Sequence, residues 1–296
     1  MHDWVLLTAV LTLLLILFTA WARWRRQKLL ESVAVVTLPD FLSAHLGNSR
    51  DILFFLPPGY PSDAPYPVLY LNDGQDVTQL GLRETVAKLI ARGKIDPILI
   101  VAIPTHDDRL HEYGTAVTVN AQGLGDRASD YAKFIVNELM PHVNQTFPVS
   151  TQPVQTAFLG ASLGGLSAFD MAWNHPELFG MVGVFSGSFW WRAGTDDPHV
   201  TPGQLIAQEM VRNGRYHPGQ RFWFQAATQD ETADRDGNGV IDAIQDTLEL
   251  IAELEQIGYK RGQDVCYVEV RGGRHNYDTW AEALPDFLTW AFPSKS

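Results

Sequence analysis

Hydrophobic positions along the chain follow two regimes. The first is an unbroken run, Trp4 to Ala22, of 19 uncharged residues dominated by Leu, Val, Ile, Ala and Phe. As a helix it would extend about 28 Å, close to the hydrocarbon thickness of a bilayer. Trp4, Trp21 and Trp24 flank it as interfacial anchors do. The pattern predicts a single-pass transmembrane anchor in residues 1–30, with the lipid bilayer as partner. The basic cluster Arg23, Arg25, Arg26 and Lys28 follows the run, so the positive-inside rule places the remaining chain in the cytoplasm. The alternative is a cleaved signal that leaves the protein exported. Against it, Met1-His2-Asp3 lacks the basic start of such a signal.

The second regime begins near Glu31. Short apolar runs rich in β-branched and aromatic residues, bounded by Gly, Pro, Asn or Asp, predict strands. They are Val33–Leu38, Ile52–Leu56, Val68–Leu71, Ile98–Ile103, Gln155–Leu159, Met181–Phe185, Arg221–Gln225 and Val265–Val270. Helical spacing predicts helices over Leu82–Arg92, Ser129–Thr146, Gly165–Asn174, Pro202–Arg212, Ala243–Ile257 and Tyr277–Ala291. Strands that alternate with helices late in the chain and crowd together early imply a mostly parallel sheet with an antiparallel edge. The fold class expected is α/β, with residues 31–296 as one catalytic domain.

Composition narrows the function. The net charge is −12, and the N-terminal basic cluster leaves the body more acidic still, which argues against a nucleic-acid partner. A lone cysteine, Cys266, excludes an intramolecular disulfide and sits in a strand pattern.

The strongest chemical signal is Gly160-Ala161-Ser162-Leu163-Gly164-Gly165, between a predicted strand and a predicted helix. That is the context of a G-x-S-x-G nucleophile elbow, which presents a serine at a helix N-terminus. A serine hydroxyl needs a histidine to take its proton. His275 has the fitting address, between the last strand and the last helix, whereas His199 and His217 fall in polar loops. The third member should follow the Arg221–Gln225 strand, where Asp230 and its neighbour Glu231 compete. Leu163 N–H would supply one oxyanion donor. Gln75 N–H, made approachable by Gly74 in Asn72-Asp73-Gly74-Gln75, would supply the other; an ordinary turn is the alternative. Trp190, Trp191 and Tyr113 are candidates for a substrate pocket or for core. Arg109 and Glu112, on the same loop as Tyr113, are candidates for substrate contact or for an ion pair.

These segments, together with Asn174-His175-Pro176-Glu177-Leu178-Phe179, resemble the esterase family that includes esterase D, enterochelin esterases, feruloyl esterases and mycolyltransferases. The resemblance implies an α/β-hydrolase fold and attack on a small-molecule carboxylic ester, with Ser162 as nucleophile, His275 as base and Asp230 as acid. Acyl transfer with the same residues is the alternative chemistry, and a calcium-dependent binding protein the non-enzymatic one. No cofactor is expected for the chemistry. The stretch Asp234-Arg235-Asp236-Gly237-Asn238-Gly239-Val240-Ile241-Asp242 does match the start of a calcium loop, with Gln245 at the position of the usual glutamate. It predicts either a structural calcium held by Asp234, Asp236, Asn238, Val240, Asp242 and Gln245, or a cap on the following helix.

Overall fold

The computed structural model describes residues 2–62, 64–194 and 204–294. Helix α1 (His2–Glu31) leads into β1 (Ala34–Ser43), β2 (Asn48–Leu56) and β3 (Val68–Asn72). Then come α2 (Leu82–Ala91), β4 (Leu99–Ile103), the short α3 (Arg109–Glu112), α4 (Ala128–Lys133) and α5 (Met140–Thr146). The second half runs β5 (Thr156–Ala161), α6 (Leu163–Asn174), β6 (Met181–Phe185), α7 (Ile206–Arg212) and β7 (Arg221–Gln229). It ends with α8 (Asp242–Gln256), β8 (Val265–Arg274) and α9 (Tyr277–Ala291). One eight-stranded sheet has the order β1-β2-β4-β3-β5-β6-β7-β8. Pairings are antiparallel at β1–β2 and β2–β4 and parallel from β4 onward, a mixed α/β fold.

Alternation along the central strands sorts the core into two layers. Tyr70, Val101, Phe158 and Phe224 face the layer that holds α6, α7 and α8. Leu69, Ile100, Leu159 and Trp223 face α2 and α9. Because both faces are covered, the inner strands read as unbroken apolar runs. The helix expected over Ser129–Thr146 is interrupted by a π segment, Phe134–Leu139. The widened turns fall immediately before Pro141, whose ring would press on the carbonyl four residues back in a regular helix.

The N-terminal expectation is corrected. Among the described residues no helix is long and apolar enough to cross a membrane. The single-pass anchor, its bilayer partner and the cytoplasmic placement drawn from it are therefore overturned. The apolar run is not a separate span: α1 continues without a break through Arg23, Arg25, Arg26 and Lys28 to Glu31. Its last turns are tied to the body, with Arg26 Nε 3.1 Å from Glu84 Oε1 on α2 and Leu29 packed against the α2–α9 layer.

Candidate active site

The carboxyl ends of the central strands meet at the turn between β5 and α6. Ser162 occupies it with φ 55° and ψ −126°, outside the ordinary regions for a non-glycine residue. The strain is held by packing. A Cβ on Gly160 would lie 2.0 Å from Gly164 O, and one on Gly164 would lie 2.6 Å from Asp73 Oδ2. Only glycines let the helix start this close to the strand. Leu163 is the first residue of α6, so its N–H has no acceptor within the helix.

His275 follows β8 and lies 2.9 Å from Ser162 Oγ through Nε2. Its Nδ1 is 3.6 Å from Asp230 Oδ1. The Asp230 side chain is fully buried, and its Oδ2 accepts the Ala227 N–H at 2.8 Å. Glu231 turns elsewhere and takes the N–H of Ala243 at the start of α8; burial raises its carboxyl above the usual range. The other histidines stay away. His175 pairs with Glu177 at 3.2 Å, and His217 packs edge-on against Trp173. His199 lies outside the described residues. Cys266 is a half-buried residue of β8 whose thiol burial pushes up.

Three hydroxyl or indole groups at this site carry no motif. Ser188 follows β6, and its hydroxyl is 3.5 Å from Ser162 Oγ. Ser186, also at positive φ (46°), donates to Asp230 Oδ1 at 2.9 Å. Trp280 of α9 donates its indole N–H to Ser186 Oγ at 3.0 Å. The only trace of the two serines in the sequence is Ser186-Gly187-Ser188 at a strand's carboxyl end.

The other expected site residues differ in burial and partners. Tyr113 is fully buried, and its hydroxyl accepts the Asp73 N–H at 3.0 Å, so it braces the turn after β3 rather than lining an open pocket. Trp191 is likewise core, its ring against Gly114 and Gly125, while Trp190 is 44% exposed. Gly74 lies where the backbone passes close to a neighbouring strand. A Cβ there would sit 2.6 Å from the backbone N of Ile103, so the turn presses on β4. Gln75 lies in that short 3-10 turn, its side chain bonded to Asp73, Asp76 and Thr105 N–H. Glu112 is buried against Arg50 at 2.8 Å, and Arg109 grips Asp73 with two bonds of 2.7 and 2.8 Å. A small pocket opens between Gly160, Asp73, Arg109, Phe185 and Trp280.

The acidic loop Asp234–Asp242 folds on hydrogen bonds of its own. Among the described residues no group of three or more His, Cys, Asp or Glu side chains is arranged to hold a metal ion. The loop's acceptors are already engaged. Asp234 takes the N–H groups of Asn238 and Gly239 at 3.1 and 2.9 Å. Asp236 takes those of Asn238 and the Gln245 amide, both at 3.1 Å. Asp242 takes the Arg235 N–H at 3.0 Å, and Val240 donates to Asn238 Oδ1 at 2.7 Å.

A family model described as "Putative esterase" matches residues 43–291. The chain belongs to the esterase family. This esterase is 23% identical to the protein YbbA of Bacillus subtilis (strain 168), over 85% of its own length and 96% of that protein's. It is 31% identical to the iron(III) enterobactin esterase of Escherichia coli (strain K12), over 58% of this chain and 41% of that one. Its fold matches the enterobactin esterase FES from Shigella flexneri, crystallised in the presence of enterobactin, with a TM-score of 0.67 at 23% identity. That match covers 88% of this esterase but only 58% of the Shigella chain.

Proposed function

We propose that this esterase, of the α/β-hydrolase type, cleaves small-molecule carboxylic esters through an acyl-enzyme on Ser162. The observation that carries the reading is the 2.9 Å separation of His275 Nε2 and Ser162 Oγ at the strand-to-helix turn. His275 takes the hydroxyl proton as Ser162 Oγ bonds to the ester carbonyl carbon, and then delivers it to the departing alcohol oxygen. Water then takes the alcohol's place: its oxygen bonds to the acyl carbon as His275 takes its proton, the bond from that carbon to Ser162 Oγ breaks, and His275 returns the proton to Ser162 as the acid product leaves. Asp230 stabilises the imidazolium formed at each step. The N–H groups of Leu163 and Gln75 are the proposed donors to the oxyanion. Trp190, the exposed member of its pair, is the proposed wall for the substrate.

The test is covalent labelling with a fluorophosphonate followed by peptide mapping. Modification of Ser162, with Ser162→Ala and His275→Ala each losing nearly all turnover on a short-chain aryl ester, is the expected result. Label on another residue, or wild-type turnover in Ser162→Ala, would overturn the reading.

A further inference from the structure

The acid and the base of this site reach it from different elements. Asp230 immediately follows β7, and His275 lies in the turn between β8 and α9. Nothing in either local sequence sets the distance between them. One side chain touches the base directly and reaches the acid through a single serine. Trp280, one turn into α9 and 6% exposed, sets its ring edge-on to the His275 imidazole, with centroids 5.2 Å apart at 81°. The same indole donates its N–H to Ser186 Oγ at 3.0 Å.

That second contact makes Ser186 Oγ an acceptor and leaves its own proton to donate. A hydroxyl has one proton, and two acceptors lie within reach: Asp230 Oδ1 at 2.9 Å and Gln225 Oε1 at 3.5 Å. With a lone pair of Ser186 Oγ occupied by the indole proton, its own proton points to the nearer, charged acceptor. Asp230 Oδ1 is the oxygen that also faces His275 Nδ1. The chain thus runs by hydrogen bonds from Trp280 N–H through Ser186 O–H to the Asp230 carboxylate, faces His275 Nδ1 across 3.6 Å, and resumes from His275 Nε2 to the Ser162 hydroxyl. It closes on itself through the ring contact. The positive φ of Ser186 supports this reading, because a strained backbone angle aims the hydroxyl at a buried carboxylate.

We propose that Trp280 is a positioning residue that, through Ser186, sets the orientation of Asp230 while its ring fixes the plane of His275. This rests on the function proposed above. Tyr277, one turn earlier, buttresses the indole edge-on at 5.0 Å and donates to Asp76 Oδ2, which ties the start of α9 to the turn after β3.

The experiment uses the full chain and two variants, Trp280→Phe, which keeps a ring but has no N–H, and Ser186→Ala. Three quantities are read: steady-state kinetics on an aryl ester, the rate of fluorophosphonate labelling, and the low-field proton resonance of His275 Nδ1–H. Both variants should lower kcat by about 10- to 100-fold with KM nearly unchanged, the scale of a small misplacement of reacting groups. Both should slow labelling in parallel and move the Nδ1–H resonance. A purely packing role for Trp280 would lower the melting temperature without moving the resonance, and that would overturn the proposal. So would wild-type kcat and labelling in a folded Trp280→Phe. Failure of the underlying reading looks different, because wild-type protein would then not be labelled at Ser162 at all.

Discussion

The two ring nitrogens of His275 are held unequally. Nε2 lies 2.9 Å from Ser162 Oγ, whereas Nδ1 lies 3.6 Å from Asp230 Oδ1. The second distance is that of an ion pair rather than a short hydrogen bond, since Asp230 is also drawn toward Ala227 N–H and Ser186 O–H. Asp230 should act mainly on the imidazolium. Asp230→Asn is expected to lower kcat on the order of a thousandfold, and Glu231→Gln to leave it within about twofold. Steady-state rates of the two purified variants decide the matter, and the reverse ranking would assign the acid to Glu231.

The elbow depends on closeness that no side chain permits. In Gly160→Ala the new methyl would lie 2.0 Å from Gly164 O, so α6 must move away from β5. The expected cost is about 1–3 kcal/mol of stability, with turnover falling further because Ser162 moves with the helix. Thermal melting and kcat are measured together. A variant that melts and turns over like the wild type would show that the turn tolerates a side chain.

Arg50 and Glu112 form a fully buried pair, tied at 2.8 and 2.9 Å, with Asn48 as a further partner. Breaking one side strands a charge. Arg50→Met should destabilise the protein by about 3–5 kcal/mol, while Arg50→Met combined with Glu112→Leu should recover most of the loss. Denaturant unfolding reads both. Equal loss in the single and the double variant would show that the pair contributes packing rather than charge.

Asp170 on α6 is a buried carboxylate whose pKa desolvation lifts to about 7. It accepts the Ala116 N–H and the Asn174 amide, each at 3.0 Å. Between about pH 4 and pH 7 the folded form keeps the proton that the unfolded chain has lost. Its contribution to stability is full below about pH 4 and disappears as pH rises through about 7. Asp170→Asn removes that titration. The melting temperature of the wild type should therefore fall relative to Asp170→Asn between pH 4 and pH 7, and parallel curves would contradict the buried, protonated state.

By itself the sequence determined the layered α/β plan. A strand covered on both faces needs an apolar residue at nearly every position, so runs such as Leu99-Ile100-Val101-Ala102-Ile103 announce themselves. Ser162 was legible for a similar reason, since its tight turn demands glycines at fixed offsets. The address of His275 followed from chain order alone. Trp191 and Tyr113 show where this ends. Nothing local distinguishes a pocket aromatic from a core aromatic, and only the packed chain buried these two while leaving Trp190 exposed. The apolar run Trp4–Ala22 reads as a membrane span on composition, whereas among the described residues no helix is long and apolar enough to cross one, and Arg26 beyond the run pairs with Glu84 on α2. The acidic loop shows a metal-binding spacing in the sequence, and the folded chain adds the N–H groups that Asp234 and Asp236 accept. Tertiary structure alone joined Trp280 to Ser186 and Ser186 to Asp230. Those contacts connect α9, the end of β6 and the end of β7, elements that the sheet order brings together and that no period of two or 3.6 residues records.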